Sequence, residues 1–174
     1  MIRQTTIPFQ SKLATAAFDY YDCFETALPE HPTTITMPMI GQAFFEASPT
    51  WINYLFNLRN RLVRRLGLKV PEPIADREKL PDDFTCTPGQ RVGLFKVFAS
   101  DQREVVLGED DKHLDFRVSL YQRSATEAQP RSLAITTIVS FNHWSGRLYF
   151  RLIKPFHKII VKQMLRGTVK NLSR

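Results

Sequence analysis

Apolar and polar residues alternate most cleanly over 113–121 (HLDFRVSLY). Leu114, Phe116, Val118 and Leu120 fall on one side there, and His113, Asp115, Arg117, Ser119 and Tyr121 on the other. A period of two predicts a strand with one face in a core. The neighbouring runs read similarly. Residues 92–99 are mostly apolar, 103–107 pair back across a turn at 100–102, and 133–141 form a long β-branched strand. Turn residues at 108–111 and a polar loop at 124–131 join these runs, so the expected arrangement is an antiparallel meander. An earlier run at 18–26, aromatic and polar in β-compatible order, is expected to be an edge strand.

Elsewhere the period is helical. Over 51–66, residues Trp51, Ile52, Tyr54, Leu55, Phe56, Leu58, Leu62, Val63 and Leu66 fill one broad arc. Ser48 and Pro49 supply the start signal and Gly67 the stop. A shorter helix at 39–46 presents Phe44 and Phe45. A last helix, capped by Asn142, is expected to run to about residue 170. In it Leu148, Tyr149, Leu152, Ile153, Phe156, Ile159 and Ile160 share an arc that should face the sheet. Arg147, Arg151, Lys154 and Lys158 lie opposite, toward water. Pro155 predicts a kink or a late helix start. Residues 69–90 hold Pro71, Pro73, Pro81 and Pro88 and read as a loop or lid. The order of strand, two shorter helices, loop, strands and long C-terminal helix is an α+β pattern.

Composition narrows this further. The 174 residues, 43% hydrophobic and 24% charged, suit one globular domain over 1–174 with a core at about 18–170. No run approaches a membrane span, and the first residues lack the pattern of a signal peptide. Two cysteines are too few for a disulfide framework, so the expected compartment is the cytoplasm. The net charge of +7 sits in one place, because residues 144–174 carry eight basic residues and no acid. Such a segment invites an anionic partner, and it equally serves as the solvated face of a core helix.

Four phrases carry a resemblance: WINYLFNLRNRLV (51–63), PGQRVGLFKV (88–97), VVLGEDDKHLDFR (105–117) and PFHKII (155–160). They resemble an uncharacterised bacterial family known as a domain of unknown function. The element order resembles the helix-grip fold of the START-like, or SRPBCC, superfamily. That resemblance implies a sheet of about five to seven strands around the long C-terminal helix. It also implies an apolar cavity between them for lipids, polyketides, hormones and other hydrophobic molecules.

The candidate chemistry is sparse. His113, Asp115 and Arg117 share one strand face at steps of about 7 Å, and a carboxylate beside an imidazole can fix a tautomer for base chemistry. Alternation alone explains the trio as solvent-facing; on the helix side it would form a cavity floor. Arg59 projects into the apolar arc of its helix, either snorkelling or aimed at a cavity. His157 follows Pro155 on the flank between apolar and basic arcs. No histidine pair has i, i+4 spacing, the cysteines stand far apart, and nucleotide or hydrolase motifs are missing. No metal, cofactor or sequence-specific nucleic acid is therefore expected. The expected function is binding of a small apolar molecule, with Arg59, His113, Asp115, Arg117, Tyr121 and His157 as candidate ligand-binding residues. The alternative is a peripheral adaptor whose basic helix contacts an anionic membrane or acidic partner.

Overall fold

The computed structural model describes residues 1–29, 34–47, 83–127 and 129–173. In chain order these form β1 (Arg3–Gln4), β2 (Tyr20–Ala27), α1 (Met37–Glu46), β3 (Arg91–Val92), β4 (Phe95–Ser100), β5 (Glu104–Asp110), β6 (Leu114–Arg123), β7 (Ser132–Phe141) and α2 (Trp144–Asn171). The expected helix over 51–66, with Arg59, and most of the proline-rich stretch lie outside the described residues.

The strands make one seven-stranded sheet in the order β1-β2-β7-β6-β5-β4-β3, with every neighbouring pair antiparallel. The fold is α+β, compatible with a helix grip. Period two in β5, β6 and β7 places Val105, Leu107, Val118, Leu120, Leu133 and Ile135 in one buried cluster with Ile40, Phe44, Val161, Met164 and Leu165 of the helices. The opposite, outer face is covered by the N-terminal segment, where Ile7, Leu13 and Ala16 pack on Val106, Ile138, Phe98 and Ala99. A bulge between Val97 and Ala99 lets Phe98 and Ala99 both join that second cluster.

One buried carboxylate pins this cover. Glu104 is 1% exposed. Its Oε1 accepts from Ser11 Oγ and Ser119 Oγ, both at 2.5 Å, and its Oε2 accepts from Lys12 N at 2.7 Å. A second acid, Glu25, accepts from Ser132 Oγ, Arg123 Nε and Arg3 Nη2. Burial alone would raise the Glu25 pKa, but the serine bond and the two guanidinium groups outweigh it and hold it low.

Several expectations need correction. The strand at 18–26 is β2, second from the edge, because β1 pairs outside it. The apolar run at 92–99 divides into β3 and β4 at Gly93, whose φ of +55° suits glycine. The final helix is capped by His143 rather than Asn142, with the His143 Nδ1 accepting from Ser145 N at 3.3 Å. It continues through Pro155 instead of starting there.

The largest correction concerns how α2 docks. Leu148, Leu152, Phe156 and Ile159 were expected to face the sheet, yet they are 40–51% exposed. The side turned to the sheet holds Phe150, His157 and Val161. Lys154 and Lys162, from the basic series, place their ammonium groups 4.8 Å and 5.0 Å from the Tyr20 and Phe24 ring centroids. The reason lies in β2. It offers two aromatic faces and the Asp22 carboxylate to the helix, and these complement lysine and histidine better than a purely aliphatic stripe.

Candidate functional site

Besides the Glu104 and Glu25 pins, three places in the described structure bear on the candidate residues and the open space. The first is the 108–117 phrase, singled out for His113, Asp115 and Arg117. Leu114, Phe116, Val118 and Leu120 face the helices, so Asp115, Arg117 and Tyr121 stand on the outer side. His113 lies just before β6, in the turn from β5. Asp111 Oδ1 accepts from His113 N at 2.9 Å, and Asp115 Oδ1 accepts from Asp111 N and Asn142 Nδ2. The His113 carbonyl accepts from the backbone N–H groups of Asn142 and His143, both at 3.1 Å. Ser145 Oγ bridges the Nδ1 atoms of His113 and His143, at 2.9 Å and 2.8 Å.

The Arg117 guanidinium carbon stands over the Phe98 ring, 3.6 Å from its centroid. It donates to the Phe116 and Glu109 carbonyls and to Asp110. Gly108 makes room for this, because a Cβ there would come within 2.1 Å of the Phe116 carbonyl oxygen. Gly146 likewise lets α2 approach His113, whose carbonyl oxygen would be 2.2 Å from an added Cβ. The phrase is therefore a clasp between the β5–β6 hairpin and the start of α2. Tyr121 sits apart from it and donates to Gln10 at 3.0 Å.

The second place joins α2 to the sheet. Asp22 is 1% exposed, and its Oδ2 accepts from Tyr20 Oη at 2.6 Å. His157 Nε2 stands 3.3 Å from the same oxygen, close enough for an ion pair but without hydrogen-bond geometry. Asp22 Oδ1 and Thr137 Oγ1, on residues directly paired across β2 and β7, are buried with no hydrogen-bond partner. Burial, and then the bond to Asp22, raises the Tyr20 pKa and keeps the phenol a donor. These atoms are closed to water, so the cluster fastens helix to sheet and does not line open space. Among the described candidates, His157 stands on the helix-facing side.

The third place is open. A groove of about 820 Å³ lies between residues 34–38 and the ends of the strands. Ile35, Met37 and Pro38 give it an apolar wall, and Gln122, Arg103 and Arg131 stand around it. Gln122 continues the helix-facing series of Val118 and Leu120, and its Nε2 donates to the Ile35 carbonyl at 3.5 Å. Arg103 and Arg131 stand one residue before β5 and β7, and both line the groove. The groove therefore opens on the helix-facing side of the sheet.

None of Asp22, Thr137, Arg103, Gln122 or Arg131 was singled out from sequence. The available signal was parity, since an acid at position 22 and cations at 103 and 131 fall in step with core positions. No described helix is long and apolar enough to cross a membrane. A family described as "Protein of unknown function (DUF2867)" matches residues 14–164, more than half of the chain. No curated protein and no solved structure matches.

Proposed function

The chain belongs to the DUF2867 family, and on that premise we propose that it binds a small, largely apolar molecule on the helix-facing side of its sheet. The observation that carries the reading is the groove beside Ile35 and Met37. Its volume of about 820 Å³ falls within the roughly 300–1,000 Å³ of small-molecule sites. An apolar wall supplies contact area, while Gln122 and the two arginines supply orientation. On the outer face the buried carboxylates Glu25 and Glu104 are already satisfied by side chains and backbone of the chain itself. The likeness to the START-like, helix-grip superfamily, whose members hold apolar molecules between sheet and helix, supports the helix-facing side, although this groove is lined by residues 34–38 and the strand ends and by none of α2.

In this reading His157 and Asp22 fix α2 over β2 and do not line the groove. Asp115, Arg117 and Tyr121 leave the ligand set because they occupy the other side. Cys23 and Cys86 are unpaired and buried, which supports a reducing, cytoplasmic setting. The basic helix has fewer free charges for a membrane than its sequence implies, since Lys154 and Lys162 lie over rings of the sheet.

Native mass spectrometry of protein purified from cells tests the proposal. A non-covalent small-molecule adduct, lost on denaturation, is the expected result. The bare chain mass, together with no thermal shift from any of a panel of apolar compounds, would overturn it.

A further inference from the structure

We infer that the groove is built for an amphiphile with an anionic head, a carboxylate or a phosphate held by Arg103 and Arg131. This rests on the binding function proposed above and names its ligand class. The basis is a contrast among the arginines at this end of the sheet. Arg3 and Arg123 are both engaged by Glu25. Arg103 and Arg131 both border the groove, and among the described residues neither side chain has a hydrogen-bond or ion-pair partner.

Asp101 is the one acid among the described residues around the groove, and it does not neutralise them. Its carboxylate pairs with Lys12 and accepts from the backbone N–H groups of Arg103 and Glu104. Two free guanidinium groups beside an apolar wall match a chain that ends in a planar or tetrahedral oxyanion. Ser124 also lines the groove and carries a hydroxyl donor. An uncharged chain of equal length would gain the contact with Ile35, Met37 and Pro38 but leave both arginines to water.

Calorimetric titration with dodecanoate, dodecyl phosphate, dodecanol and inorganic phosphate, all below micelle-forming concentrations, tests the inference on the intact protein. Both anionic chains should bind about tenfold tighter than the alcohol, and rising salt should erase the difference. R103M, at an exposed position, and R131M, at a half-buried one, should each remove part of that preference, and the double variant should bind all three chains equally. Equal binding of alcohol and acids by the wild type would sink the inference while leaving the binding function intact. A preference that survives in the double variant would sink it too. If no chain binds at all, the binding function itself fails. Inorganic phosphate binding as tightly as dodecyl phosphate would make this an ion site, and co-sedimentation with anionic vesicles without binding of monomeric chains would make it a membrane contact. Either result overturns the assignment.

Discussion

Removing the carboxylate of Glu104 should loosen the whole outer cover of the sheet. Glu104 is 1% exposed and accepts from two serine hydroxyls and one backbone N–H. The partners differ in what they can do once it is gone. Ser119 is fully buried and Ser11 is 5% exposed, so neither hydroxyl readily reaches water. Lys12 N is only partly buried and can be solvated. A buried donor left without its acceptor costs about 1–3 kcal/mol, and the deleted side chain adds a small cavity cost. Glu104→Ala should therefore destabilise the fold by about 3–5 kcal/mol, or roughly 10 °C in Tm for a domain of this size.

Glu104→Gln separates charge from shape. Its amide oxygen can still accept from both serines, while its NH₂ opposes the Lys12 N–H. A loss of about 1–2 kcal/mol is expected. Urea unfolding at neutral pH measures both, with limited proteolysis of the N-terminal segment as the local readout. An alanine variant within about 1 kcal/mol of wild type, with unchanged cleavage near residue 12, would refute the pinning role.

Further outcomes follow from other buried groups. Glu25 has a lowered pKa in the fold, so its contribution is present above the unfolded value of about 4.3 and is lost as pH falls through the lower folded one. Urea midpoints for wild type and Glu25→Gln should therefore differ at pH 7 and converge in acid; a gap that widens in acid would reverse the sign of this argument. Gly146→Ala should cost about 1–3 kcal/mol by overpacking the His113 carbonyl, whereas a neutral result by thermal denaturation would mean the clasp yields easily. Burial pushes the Cys23 and Cys86 thiols up to about 11, so a thiol-disulfide reagent at pH 8 should label them only on unfolding. Rapid labelling of the native protein would contradict their burial.

How far the chain discloses its own structure depends on the range of the interactions involved. Strands β5, β6 and β7 are legible because each buries one face and so writes period two into consecutive residues. The two-residue β1 carries no pattern of its own, since its place is set by pairing with Phe24 and Glu25. The pin at Glu104 is equally silent, because Ser11 lies far away in sequence. Helix α2 misleads for a different reason. Its strongest amphipathic arc, around Leu152 and Phe156, gives the inward direction only if the surface it meets is uniformly apolar. Here Tyr20, Asp22 and Phe24 turn the helix so that Lys154, His157 and Lys162 meet them.

The same limit hid the candidate site. The charges of 108–117 are adjacent in sequence and so conspicuous, and the structure uses them to tie a hairpin to a helix. Arg103 and Arg131 looked ordinary, and they matter only because the fold brings two strand ends to one groove.

Methyl-resolved NMR during titration with dodecanoate tests ligand placement most directly. Shifts should concentrate at Ile35 and Met37 beside the groove, reach Leu120 and Ile135 on the helix-facing side, and spare Leu13 of the N-terminal cover and Val106 and Ile138 beneath it. Shifts centred on those last three methyl groups would contradict a site on the helix-facing side.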